Sequence, residues 1–117
     1  MLPKTNRLRK EKDFGKLFKK GKSFKEGFLI LKIVKNDLKE SRFGFIVSQK
    51  VSKKAVLRNK VKRRLRDIVR HNIKNIEKGI DAALIALPGL EKKNFLETKG
   101  ILEALFKKAG LVKGIKK

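Results

Sequence analysis

The stretch from Ala55 to Ile76 constrains the fold more than any other part of the chain. Wound at about 100° per residue, it separates into two stripes. Leu57, Val61, Leu65, Ile68 and Val69 gather on one flank. Asn59, Lys62, Arg63, Arg66 and Arg70 fall in an arc of roughly 100° beside them. Arg58 borders that arc, and Lys60 and Arg64 lie on the far flank. A helix with this pattern buries one stripe and turns the other outward. A merely solvated face would mix charge signs in i,i+4 pairs. Here the basic residues between Arg58 and Arg70 meet a single acid, Asp67. Unpaired like charges at that spacing destabilise a helix, so the stripe calls for a polyanion. Arginine's planar fork suits phosphate, and its flat face stacks on bases.

The rest of the composition agrees. Against 34 Lys and Arg stand 11 Asp and Glu, a net charge of +23. A globular chain so unbalanced suits a nucleic-acid partner. Hydrophobic residues make up 40%, enough for a core, and 117 residues suit one domain. With no Cys there is no disulfide framework, thiolate zinc site or Cys nucleophile, which fits the cytoplasm. No apolar run approaches the roughly 20 residues of a membrane span. The N-terminus lacks a signal-peptide core, so no membrane partner is expected. Trp and Tyr are absent, leaving base stacking to the eight Phe, His71 or the Arg planes.

Around the basic helix the pattern alternates in type. Residues up to Lys12 read as a basic arm anchored by Leu8, and residues 1–10 are expected to be flexible. Phe14, Leu17 and Phe18 share one face of a short helix from Glu11 to Lys20, stopped at Gly21. Lys22 to Lys25 suits a short strand turning at Glu26 and Gly27. Phe28 to Val34 is a dense strand-forming run. After a turn at Lys35 to Ser41, Arg42 to Ser48 alternates and reads as the hairpin partner of that run. Gln49 to Lys54 is a basic loop. Ile80 to Leu87 is a buried-strand candidate closed by Pro88 and Gly89. Asn94 and Glu97 form a capping box ahead of a helix from Phe95 to Ala109, with Gly110 as its stop. Leu111 to Lys117 reads as a frayed basic tail. The class is α+β, an α-β-β-β-α-β-α two-layer sandwich with a small mixed sheet.

Nothing in the chain looks like a self-sufficient catalyst. His71 is the only histidine, which excludes a two-histidine nuclease. The carboxylates are scattered, whereas a two-metal nuclease needs several that converge. There is no Walker loop, no GxGxxG and no HExxH. If the protein takes part in phosphodiester chemistry, another molecule supplies the reacting centre.

Arg58 to Arg66 reads R-N-x-x-K-R-x-x-R. This resembles the signature of the bacterial ribonuclease P protein component. The resemblance extends to Asn6-Arg7-Leu8-Arg9, Asp13-Phe14, Leu17-Phe18 and Gly21-Lys22. It continues through Phe43-Gly44-Phe45-Ile46-Val47-Ser48 and Lys50 to Val56. It runs from about Asn6 to Phe106.

The resemblance implies a ribonucleoprotein that removes the 5′ leader from precursor tRNA. Its catalyst is a large RNA working with Mg²⁺, and its protein subunit has no catalytic residues. It implies partners in the catalytic RNA and precursor tRNA, with one protein monomer per RNA. It implies a left-handed βαβ crossover through the basic helix, where pattern alone predicts a right-handed one. By position, Arg58, Asn59, Lys62, Arg63, Arg66 and Arg70 would contact the catalytic RNA. The leader would lie between the first helix and the sheet. Phe14 and Phe18 would line that cleft with Leu31 opposite, where the family often carries an aromatic. Lys50, Lys53 and Lys54 would line the approach. Without the resemblance, Phe14 and Phe18 read as core packing of an amphipathic helix.

Two other classes fit the charge. A ribosomal RNA-binding structural protein is separated by the R-N-x-x-K-R-x-x-R spacing. An architectural DNA-binding protein would show a minor-groove wedge or a dimeric recognition helix, and neither is visible, so no DNA partner is expected.

Overall fold

The run Ile80–Ala86 sets the sheet. Its sequence IDAALIA is apolar at both parities apart from Asp81, so it needs cover on both faces. In the computed structural model, which describes residues 6–8 and 11–112, it is a central strand. Taken in chain order, the strands are β1 (Lys22–Glu26), β2 (Leu29–Lys35), β3 (Arg42–Ile46) and β4 (Ile80–Ala86). Their spatial order is β1-β2-β4-β3. The helices are α1 (Glu11–Lys20), α2 (Ala55–Asn72) and α3 (Phe95–Lys108).

This order corrects one expectation from the sequence. β3 is not the hairpin partner of β2. β4 lies between them, antiparallel to β2 and parallel to β3. The physical reason is the difference in burial demand. β4 is buried at all but one position, which suits the middle, whereas β3, with Arg42 half-buried, tolerates an edge. The parallel pair β3 and β4 is joined through α2, as a crossover requires.

The register divides the side chains cleanly. Leu29 lies opposite Ala86, Leu31 opposite Leu84, and Ile33 opposite Ala82, with Phe43 and Phe45 continuing the rows on β3. These residues pack with Val61, Leu65, Ile68 and Val69 of α2 and with Leu102, Leu105 and Phe106 of α3. The alternate residues face α1, whose Leu17 is fully buried beside Leu8, Ala83 and Val34. Helices therefore lie on both faces, α2 and α3 on one and α1 on the other, so the sheet is the middle of three layers and not one of the two expected from the sequence.

Element ends follow local chemistry. Glu97 N donates to Asn94 Oδ1 at 2.8 Å, and Asn94 N donates to Glu97 Oε1 at 3.0 Å, the expected capping box at α3. Gly110, at φ 71°, supplies the left-handed turn that stops α3. α2 ends at Asn72, whose Nδ2 donates to the Ile68 carbonyl at 2.8 Å, and a 3₁₀ turn at Ile73–Asn75 replaces the helix expected through Ile76.

Two segments read as loose are held. Asn6 Nδ2 donates to the Ser41 carbonyl at 2.7 Å, and Leu8 N donates to the Phe43 carbonyl at 2.9 Å. At the other end Leu111 is buried, accepts from Glu77 N at 2.7 Å, and precedes a bridge between Ile76 and Val112. The frayed tail therefore does not begin at Leu111, because that side chain joins the core. The rest of the expected arm, at residues 1–5 and 9–10, and the tail at 113–117 lie outside the described residues. Among the described residues no helix is long and apolar enough to cross a membrane.

Candidate nucleic-acid interface

The outward stripe of α2 forms as its periodicity dictates. Val61, Leu65, Ile68 and Val69 are buried, while Asn59, Arg63 and Arg70 are exposed. Lys62 and Arg66 are half-buried for a specific reason. They lean toward the outer edge of β3, where the Arg66 guanidinium sits 5.9 Å from the Phe45 ring centroid. There they line a cavity of about 200 Å³ with Arg7, Leu8, Phe14, Phe43, Gly44 and Phe45. One concave site thus holds cations from α2 and from the segment before α1, together with three aromatic rings, Phe14 from α1 and Phe43 and Phe45 from β3.

The arginines outside the arc are engaged within the protein. Arg58 Nη1 donates to the carbonyls of Ser52 and Lys53, both at 3.0 Å, and ties the basic loop to the first turn of α2. Arg64 Nη1 donates to the Lys93 carbonyl at 2.7 Å and ties α2 to the turn before α3. Wheel position separates these two from the stripe, but their partners come from distant loops.

On the other face, Phe14 and Phe18 stack with centroids 6.3 Å apart, as their i,i+4 spacing allows. The Phe14 ring lies against Gly44, where any Cβ would collide with it. Phe18 is 45% exposed, far too open for a core residue. Lys32 Nζ lies 5.9 Å from its centroid. Beyond them Ile30, Ile85 and Ile46 form a half-buried row across β2, β4 and β3, flanked by exposed Lys25 on β1.

Leu31 requires a correction. It is fully buried, packed with the α2 and α3 core, and points away from Phe14 and Phe18. Pleating reverses the side-chain direction at each residue, so the β2 residue beside Phe18 is Lys32. Lys50, Lys53 and Lys54 are exposed in the turn that leaves β3 from the Ile46 end of the sheet. The sequence reading missed Lys32, Ile30, Ile46 and Ile85 as surface residues. Strand parity would have revealed them once Leu31 was assigned to the core.

A buried polar network braces the opposite end. Arg42 Nε and Nη2 donate to Asp81 Oδ1 and Oδ2 at 2.8 and 2.7 Å. The hydrogen bond to Asp81 holds the guanidinium above its ordinary pKa, against the opposing effect of burial. A larger cavity of about 570 Å³ lies beside this end, lined by Ile33, Val34, Ile80 and Leu111 beneath several lysines. It holds none of the α2 stripe and none of the α1 rings.

Known proteins share this arrangement along nearly the whole chain. Ribonuclease P protein components from Synechocystis and Syntrophomonas wolfei are 39% and 40% identical, each across 95% of this chain and 90% and 92% of their own lengths. The RNase P protein structure from Staphylococcus aureus matches with TM-score 0.86 at 29% identity, covering 92% of this chain and 98% of that one. The Thermotoga maritima RNase P protein matches with TM-score 0.80 at 36% identity, covering 87% and 96%. The family model described as Ribonuclease P matches residues 2–110. With R-N-x-x-K-R-x-x-R set along the outward face of α2, the chain belongs to the ribonuclease P protein family and is the protein subunit of that holoenzyme.

Proposed function

We propose that this chain binds the catalytic RNA through the α2 stripe and holds the 5′ leader of precursor tRNA on the α1 face of the sheet. The observation that carries this reading is the meeting of the two surfaces at the β3 edge. There Lys62 and Arg66 of α2 and Phe14 of α1 line one cavity. A single strand crossing from the leader surface to the RNA surface would find stacking rings and phosphate partners without a break. Arg63, Arg70 and Asn59 then contact the folded RNA, with Arg58 holding the loop beside them. Lys50, Lys53 and Lys54 add a diffuse positive approach.

Bond cleavage belongs to the RNA. Among the described residues no three His, Cys, Asp or Glu side chains gather to cage a cation. As the family implies, Mg²⁺ is assigned mainly to the RNA, and this chain's part is to lower phosphate repulsion and to hold the leader in register. The protein acts as a monomer on one RNA.

The test is reconstitution. Protein alone, RNA alone and the two together are assayed on precursor tRNA at low Mg²⁺. Cleavage is expected only where RNA is present, with strong stimulation by protein. Cleavage by protein alone, or no stimulation, overturns the reading. Predominant recovery of ribosomal RNA from cells would favour a ribosomal role instead.

A further inference from the structure

The RNA reading leaves unused a chain of charges that runs through the sheet into α1. Asp81 is buried at 3% exposure, yet it is a carboxylate in a chain that has only 11. It accepts twice from Arg42 and once from Asn36 Nδ2, at 2.8 Å. Those bonds stay within the sheet and its adjoining turn, since Arg42 and Asp81 are register partners. The third arm of Arg42 leaves the sheet. Its Nη1 lies 3.3 Å from Asp13 Oδ2, on α1 immediately before Phe14.

This contact lies where rotation of α1 would matter most. Leu17 is buried beneath the helix and Phe14 packs against the same small cluster, but apolar contacts are non-directional and leave rotation about the helix axis weakly fixed. Phe14 and Phe18 share a face, so rotation moves both rings together. Phe14 lies against Gly44 and Phe18 lies beside Lys32. A change in α1 seating therefore changes the width of the gap beside Phe18.

We infer that Asp13 and Arg42 are positioning residues: their ion pair seats α1 on the sheet and so sets the aperture that receives the single-stranded leader. This rests on the leader surface proposed above. Electrostatics makes the inference testable, because two effects of losing Asp13 have opposite signs. Removing a carboxylate beside an RNA surface strengthens phosphate attraction. Releasing α1 weakens leader binding. Asp13→Asn also leaves the Arg42–Asp81 pair intact, so the sheet keeps its brace.

The experiment uses the reconstituted holoenzyme with two precursors, one with a long leader and one with a single leader nucleotide. The KM of the single-nucleotide precursor divided by that of the long-leader precursor measures leader discrimination. Asp13→Asn is expected to reduce that ratio by roughly three- to tenfold, the scale of one partly exposed charge-assisted contact. The kcat and the affinity for catalytic RNA stay the same, and Asp13→Glu restores most of the ratio. Arg42→Lys, which keeps the charge but loses the fork, provides a second variant with the same expected direction. A separate readout follows the Hα resonances of Gly44, which carry the ring current of Phe14 and are expected to move toward ordinary glycine values in Asp13→Asn. Unchanged or increased discrimination in Asp13→Asn overturns the inference, whether or not the Gly44 signals move. If the wild-type enzyme itself ignores leader length, the leader reading fails, and unmoved Gly44 signals would then refute the seating of α1 as well.

Discussion

The two faces of the sheet use neighbouring residues of the same strands for different ends. Toward α2 and α3, Leu29, Leu31, Leu84 and Ala86 are buried almost completely. Toward α1, Ile30, Lys32 and Ile85 are only half-buried, and Phe18 is 45% exposed above them. One residue step along β2 separates the two environments. The closed face carries the stability that allows the other to remain open. An open apolar row beside lysines and stacked rings is costly to leave uncovered, which suits the leader surface proposed for it.

The largest effect should come from the closed face. Leu31→Ala removes a fully buried side chain between two helices and the sheet. It is expected to cost about 2–5 kcal/mol of stability, read by denaturant unfolding. Leader discrimination should survive in the fraction that remains folded. A selective loss of leader affinity with normal stability would return Leu31 to the cleft and break the comparison.

Phe18→Ala should behave in the opposite way. The ring is half outside already, so stability should fall by no more than about 1 kcal/mol. Affinity for a long-leader precursor should fall by about 1–3 kcal/mol, the range for one lost base–aromatic stack. Equal loss for precursors of every leader length would place the ring outside the leader path.

How far the sequence disclosed this division depends on how well it separated polar from apolar residues. α2 was legible residue by residue because its two stripes differ in chemistry as well as position. β2 was not, because Leu29 to Val34 is apolar at both parities apart from Lys32, which left Leu31 with two possible faces. The same density in Ile80–Ala86 hid its place between β2 and β3, since a strand's wish for two neighbours is not written in its periodicity. The roles of Arg58 and Arg64 were hidden for another reason. Their acceptors are backbone carbonyls in turns, and every residue carries one. Asn6 and Leu111 escaped as anchors because each is held by backbone groups distant in sequence. The family signature singled out the outward stripe of α2, but it could not show that Lys62 and Arg66 share a cavity with Phe14.

The paired arginines Arg63 and Arg64 sharpen the comparison further, at smaller energy. Arg63→Ala should lower the slope of log affinity against log salt by roughly 0.7–0.9, one phosphate contact, with thermal stability unchanged. Arg64→Ala should leave that slope alone and lower the melting temperature, since its bond goes to the Lys93 carbonyl. A filter-binding series across salt, paired with thermal melts, separates the two. Equal slopes for both variants would mean that the outward stripe is wider than the arc.

The smallest effect tests the open face most directly. Ile30 is offset by one residue from Leu31 and lies opposite Ile85. If its side chain were interior, Ile30→Ala would cost as much as Leu31→Ala. Half-buried on an uncovered row, it has only part of its surface to lose, which amounts to about 1 kcal/mol. No cavity forms, because solvent already reaches the site, so the additional penalty that raises the cost in a closed core is absent. Urea unfolding of the two variants side by side measures the difference. A cost for Ile30→Ala near that of Leu31→Ala would mean that the row is covered in solution, and Phe18 would then have no open surface beside which to hold a strand.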